Sequence, residues 1–268
     1  MLSVLLSVYV DEQPEYLNQA LISIWHEQTV KPSQIVLVKD GPLSVELESV
    51  VERWRIKLPD VMTIVALPQN IGLGAALNEG LRYCQHSLVA RMDTDDVALP
   101  ARFEKQCAFM LNNPHVVASS AQIEEWDISL RVQLGRRQLP LSSEEVAFFA
   151  KKRSPLSHPV SIFRKEAVLD VGGYPPLRKA QDFALWSLLL VNDYKLANIP
   201  DVLLKMRTGG ELLRRRGWAY FKHEVQLYAF QKEIGFLSMQ EYLINISSKA
   251  VLRLSPNFMK GVIYRLAR

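Results

Sequence analysis

Residues 87–100 read Ser87-Leu88-Val89-Ala90-Arg91-Met92-Asp93-Thr94-Asp95-Asp96-Val97-Ala98-Leu99-Pro100. The apolar run up to Ala90 has the pattern of a buried strand, and it leads straight into three carboxylates, Asp93, Asp95 and Asp96. Carboxylates directly after a buried strand are costly unless positive charge meets them. A hard divalent cation is the obvious candidate, because it takes oxygen ligands and often holds substrate phosphates as well. Asp93 and Asp95 are two residues apart, so in extended chain both side chains leave on one side and could reach one ion. The competing reading is an acidic cap for a helix starting near Pro100 or Ala101.

Working outward, the first half alternates strand-like and helix-like segments. Ser3–Val10, Ile35–Val38, Val61–Ala66 and Leu88–Met92 read as strands. Tyr16–Gln28, Val45–Leu58 and Leu73–Cys84 carry apolar residues at helical spacing between them. Such repeated β-α units predict an α/β fold, a mainly parallel sheet with helices on both faces. Ligands of such sheets lie at the carboxyl ends of the strands. Asp11 and Glu12, Asp40, Asn70 and Gly72, and Asp93 and Asp95 all follow predicted strands, so they fall on one rim. Each has a plainer reading as a turn residue or helix cap. Gly72 and Gly74 open a helix whose N–H groups could face an anion. They do not complete a dinucleotide fingerprint, and no Walker-type Gly-Lys-Ser/Thr occurs.

The later pattern changes. Ala101–Asn113 and Ser143–Lys152 read as helices, with Ser142 or Ser143 and Glu145 or Glu144 as candidate caps of the second. Val116–Trp126 and Leu130–Leu139 alternate like an antiparallel pair, and Ser157–Arg164 reads as a strand after a proline break. Lys165–Val171 is a short helix closed by Gly172-Gly173-Tyr174-Pro175, and a further helix opens at Ala180-Gln181-Asp182. Asp182 sits in that helix's first turn, where the dipole favours a carboxylate; the functional reading is a general base at the mouth of the site. Glu211–Ile234, Met239–Leu252 and Asn257–Ala267 look helical, the last with an apolar stripe of Phe258, Met259, Val262, Ile263 and Leu266.

The 268 residues carry 49% apolar side chains, enough for a sizeable core, and a net charge of +4. From Lys205 to the end there are 12 Lys/Arg against 4 Asp/Glu, so a slightly acidic body bears a basic segment. The late stripe packs on the body or lies on anionic lipid. Two cysteines offer no disulfide framework, which fits a reducing cytosol. Met1–Val10 lacks a basic leader and reads as a strand, and no run approaches a membrane span. The expected location is cytoplasmic, peripheral on the inner face of the plasma membrane, with no nucleic-acid partner.

Taken in order, these segments resemble the family 2 glycosyltransferases, inverting enzymes of the GT-A fold. The resemblance covers about residues 3–207. It rests on Leu5-Leu6-Ser7-Val8-Tyr9, Lys39-Asp40-Gly41, Asn70-x-Gly72-x-Gly74-x-x-x-Asn78-x-Gly80, Met92-Asp93-Thr94-Asp95-Asp96, His158-Pro159, Gly172-Gly173-Tyr174 and Gln181-Asp182-x-x-Leu185-Trp186. It implies a GT-A, Rossmann-like catalytic domain over 1–207, with a nucleotide-sugar half (1–100) and an acceptor half (101–207). A basic helical extension follows over 208–268. The Arg214-Arg215-Arg216 run and the late helices resemble bacterial O-antigen and exopolysaccharide galactosyltransferases.

The same resemblance implies the site. Asp11 or Glu12, Asp40 and Asp93 would surround the uridine and ribose of a UDP-sugar, with Asn70, Gly72, Gly74 and Asn78 on the donor side. Asp95, with Asp93, would hold Mn2+ or Mg2+. Asp182 would be the catalytic base, Gly172, Gly173, Tyr174 and Trp186 would line the acceptor side, and Arg207 with Arg214–Arg216 would close over the diphosphate. Many members carry Glu-Asp where this chain has Gln181-Asp182. The implied partners are the UDP-sugar and a lipid-linked glycan acceptor, with the membrane surface met by the C-terminal helices. Two other classes fit parts of the pattern: a sugar nucleotidyltransferase, and a non-enzymatic basic module binding lipid or nucleic acid.

Overall fold

The computed structural model describes residues 1–209 and 218–254. Four strands, β1 (Leu2–Val8), β2 (Gln34–Lys39), β3 (Met62–Ala66) and β4 (Leu88–Arg91), lie parallel in the order β3-β2-β1-β4. Helices α1 (Pro14–Trp25), α2 (Val45–Lys57) and α3 (Leu73–Tyr83) connect them. β1 is sandwiched: Val4, Leu6 and Val8 join the core beneath α1 and α2, while Leu5 joins the opposite core beneath α3. Burial on both faces explains why β1 reads as a continuous apolar run and not an alternating one. Gly80 lets α3 sit close on the sheet, since a Cβ there would stand 2.5 Å from both Leu5 Cδ1 and Val38 Cγ2.

Past β4 the sheet becomes mixed: the eighth strand runs antiparallel to its neighbours, while the longest pair, between the sixth and ninth strands, is parallel. β5 (Val97–Ala98) is followed by α4 (Arg102–Asn112), β6 (Val116–Trp126), β7 (Gln133–Arg137) and α5 (Ser143–Ala150). A 3-10 turn (His158–Val160), β8 (Ile162–Arg164), α6 (Lys165–Asp170), α7 (Gln181–Val191) and β9 (Lys195–Arg207) come next. The sheet continues β4-β8-β6-β9-β5, with β7 paired to β6. Ser142 and Glu145 form the expected capping box on α5. The strand expected over Ser157–Arg164 is a strand only from Ile162, because Pro159 has no N–H for a ladder and the chain turns there.

The pattern reading made no strand of 195–207, yet β9 is the longest in the described chain. Pro200 and Asp201 hide it. Opposite them the pairing with β6 jumps from Ala121↔Ile199 to Gln122↔Val202, so two residues are left out of the ladder as a bulge.

Two further helices, α8 (Trp218–Glu233) and α9 (Met239–Leu254), pack on the body. Leu227 of α8 joins Phe183 and Ala184 of α7, and Tyr228 joins Ala150 of α5 with Phe236 and Leu237. Gln231 donates to Ser187 Oγ at 2.7 Å. The candidate membrane stripe at Asn257–Ala267 and the Arg214–Arg216 run lie outside the described residues. No helix among the described residues is long and apolar enough to cross a membrane.

Candidate active site

Parallel strands end on one edge, so β1, β2, β3 and β4 deliver their following loops to the same rim. Asp93, Asp95 and Asp96 gather there, each with a carboxylate oxygen within 4.8 Å of the others. They do not cap a helix: the N-cap of α4 is Ala101, with no side-chain bond. β5 separates the acids from that helix.

The cluster is held from several sides. Asp93 pairs with Arg91, whose side chain is only 1% exposed. Arg91 was not anticipated as a site residue; a lone basic residue inside a buried strand was the available signal. Asp96 is buried and accepts the Arg207 backbone N–H at 2.9 Å. Thr94 Oγ1 donates to Glu12 Oε2 at 2.5 Å, which ties the loop after β1 to the acidic loop. Glu12 is therefore at the cluster, while Asp11 is exposed. Burial, then the neighbouring charges of Asp93 and Glu12, push the Asp95 carboxyl up to about 6. Burial and the same crowding push Asp96 up as well. Acids forced together in this way form a set of hard oxygen donors short of positive charge, and they fit a divalent cation.

Asp40 has a different neighbourhood. Its carboxylate accepts the N–H groups of Ile71 at 2.7 Å and Gly72 at 3.1 Å. Asn70 Nδ2 donates to the Asp40 carbonyl at 3.3 Å. The anion at the start of α3 is thus supplied by the protein, and these two N–H groups are already engaged. Gly72 is the N-cap of α3 at φ +87°, with open space where a Cβ would point. Gly74 faces Gln181, whose Cγ would stand 3.2 Å from a Cβ there.

Asn78 grips the Gly172-Gly173-Tyr174 loop: Nδ2 donates to the Tyr174 carbonyl at 2.9 Å and Oδ1 accepts the Tyr174 N–H at 2.8 Å. Gly173, at φ +78°, leaves room for that carboxamide, 2.5 Å from where its Cβ would be. Tyr174 is buried and its hydroxyl meets His158 Nε2 at 3.0 Å. Trp186, expected on the acceptor side, is fully buried, with its ring centroid 6.4 Å from that of His158. It packs with Leu185 and Leu189 in the core, while Asp182, one turn earlier, is half-buried. Gly172 shows open space above it.

Asp182 lies in the first turn of α7, directly after Ala180, which takes a left-handed conformation at φ +58°. Burial raises its pKa, opposed by the backbone N–H groups of Phe183 and Asp182 itself and by Arg91. Asp93 adds a smaller upward push. A carboxylate poised upward in this way can accept a proton. Asn78 and Tyr174 thus fasten α3 to the Gly172-Gly173-Tyr174 loop, while Glu12, Asp93, Asp95 and Asp96 meet on the strand rim.

The solved structures that share this architecture define its class. The fold matches the mannosyltransferase PcManGT from Pyrobaculum calidifontis, solved with GDP-Man and Mn2+, at a TM-score of 0.66 with 19% identity, covering 98% of this chain and 73% of that one. It matches S. aureus TarS, solved with UDP-GlcNAc, at a TM-score of 0.67 with 18% identity, covering 93% and 72%. The architecture is GT-A, a mixed, mainly parallel α/β sheet flanked by helices. Residues 3–172 match the Glycosyl transferase family 2 profile, and the chain belongs to that family. It is a hexosyltransferase. The amylovoran biosynthesis glycosyltransferase AmsE of Erwinia amylovora is 42% identical over 100% of this chain and 99% of its own. The UDP-Gal:alpha-D-GlcNAc-diphosphoundecaprenol beta-1,3-galactosyltransferase of Escherichia coli is 35% identical over 98% and 94%.

Proposed function

We propose that this enzyme transfers galactose from UDP-galactose to a polyprenyl-diphosphate-linked glycan, with inversion, during assembly of a bacterial surface polysaccharide. The observation that carries the reading is the carboxylate cluster, Asp93, Asp95 and Asp96 gathered on the strand rim, with Asp182 in the first turn of α7. The full-length likeness to two bacterial polysaccharide enzymes supports the donor and acceptor classes, one of them being named for UDP-Gal and a diphosphoundecaprenol acceptor.

In this reading Asp95 and Asp93 hold Mn2+ or Mg2+. The ion would supply Lewis-acid stabilisation of the charge that develops on the departing diphosphate. Asp182 takes the proton from the acceptor hydroxyl as that oxygen attacks the anomeric carbon. The C–O bond to the diphosphate breaks on the opposite face, UDP leaves, and the centre inverts in a single displacement. Glu12, Asp40 and Asp93 border the nucleoside. The open space at Gly172 admits the acceptor. The 1–207 segment supplies all of this machinery, and the following segment meets the membrane surface on the cytoplasmic side, where a lipid-linked acceptor is presented.

Titration calorimetry of UDP with and without Mn2+ tests the donor site, and metal-dependent binding is expected. Incubation with UDP-galactose, UDP-glucose and UDP-N-acetylgalactosamine and a GlcNAc-diphospho-lipid then tests the donor. Product only from UDP-galactose is expected. Release of pyrophosphate and not UDP would reassign the chain to nucleotidyl transfer.

A further inference from the structure

The reading of Arg207 as a cation closing over the diphosphate meets an obstacle in the structure: each of its three guanidinium nitrogens already donates to a protein acceptor. Nε donates to the Ile128 carbonyl at 3.1 Å, Nη1 to the Asp95 carbonyl and Nη2 to Gln19 Oε1. The plane stacks over the Tyr16 ring at 4.3 Å. The backbone N–H of the same residue donates to Asp96 Oδ1 at 2.9 Å. One residue therefore holds the carbonyl of one acid and the carboxylate of the next. It also anchors that loop to α1 through Tyr16 and Gln19, and to the chain after β6 through Ile128.

Resting on the transferase reading above, we infer that Arg207 is a positioning residue, which fixes the Asp95–Asp96 segment so that Asp95 is set for metal binding, and does not contact the diphosphate. The sequence places it 111 residues from Asp96, and only the bulged strand β9 brings it there. Its five donors in a rigid fork suit this task, since three acceptors lie in three directions and a ring lies beneath. A lysine offers a point charge and cannot reproduce the fork. Residues that orient metal ligands typically change metal affinity by roughly 10–100-fold when removed.

The two roles predict different patterns in one experiment. UDP affinity is measured in EDTA and in saturating Mn2+ for the full chain and for Arg207→Ala, Arg207→Lys and Gln19→Leu. A positioning role predicts that Arg207→Ala weakens UDP binding about ten-fold in Mn2+, the low end for such residues, and leaves binding in EDTA unchanged. Arg207→Lys should be nearly as weak as Arg207→Ala, and Gln19→Leu should show a smaller loss, again only with metal. A diphosphate clamp predicts loss in EDTA as well, rescue by lysine, and no effect of Gln19→Leu; that pattern overturns the proposal. Thermal melting of each variant in EDTA separates loss of fold from loss of site. If the unaltered chain binds UDP no better with Mn2+ than without, the metal-dependent transferase reading fails first, independently of Arg207.

Discussion

The two sides of the cleft are built by different rules. On the donor side, four parallel strands end at one rim, and each functional loop follows its own strand by a few residues. On the acceptor side, strands of mixed direction, a 3-10 turn and the first turn of α7 converge from distant parts of the chain. The donor side is crowded with carboxylates that repel each other, and its stability comes from the sheet beneath. The acceptor side is a wall of mutually bonded polar groups, Asn78 to Tyr174 and Tyr174 to His158, with a single carboxylate at its lip. The donor side thus holds strain that a ligand can relieve, and the acceptor side holds geometry.

Substitution at the lip should give the largest effect. Asp182→Asn removes the proton acceptor and keeps the shape, so transfer should fall by about 10²–10⁴-fold or more while UDP affinity stays within about two-fold. A near-normal rate would move the base elsewhere. On the opposite side, Asp95→Asn should cost roughly 100-fold in Mn2+-dependent UDP binding, at the upper end of what outer residues achieve, and calorimetry reads it directly. The first variant breaks chemistry without binding and the second breaks binding; if both lost binding equally, the division between the sides would collapse.

Asn78 joins the sides. Asn78→Ala leaves the Tyr174 N–H and carbonyl unpaired in a buried place, which should cost about 2–6 kcal/mol at 1–3 kcal/mol per group. Urea unfolding measures it. Unchanged stability would mean that water replaces the carboxamide.

The donor side was legible because its signal is local. Strand, acid and helix recur within a few residues, and the period changes with each element, so the parallel sheet and the rim followed from the pattern. What lay on that rim was less legible. Asp40 reads as a turn residue or nucleoside contact, and the pattern did not show that its carboxylate accepts the N–H groups of Ile71 and Gly72, 31 and 32 residues away. Gly74 and Asn78 sit in a motif that suggested ligand contact, but their neighbours are Gln181 and Tyr174, about 100 residues on. Trp186, expected on the acceptor side, is fully buried, which its spacing alone did not show. β9 went unread because Pro200-Asp201 breaks its alternation, and Arg91 because charge within a buried strand has no periodic signature. Local periodicity reports which elements form; it does not report which distant element a polar side chain meets.

The smallest effect is one of pH, and it sets the two sides against each other. On the donor side, Asp95 is held up to about 6 by burial and by Asp93 and Glu12, above its ordinary 3.8. The folded protein therefore keeps a proton there more readily than the unfolded chain does, and without metal this contribution is lost as pH rises through 6. Asp96 acts in the same direction. On the acceptor side, burial and then Arg91 hold His158 well below its ordinary 6.5. The unfolded chain takes that proton and the folded one does not, so its contribution is complete above 6.5 and lost as pH falls. Between pH 7 and 5 the trends oppose, and the melting temperature of the unaltered chain in EDTA should change little. His158→Gln leaves the donor-side trend, so its melting temperature should rise on acidification. Asp95→Asn weakens that trend, so its melting temperature should fall over the same range. Three parallel curves would mean that neither side carries the proton linkage its burial implies.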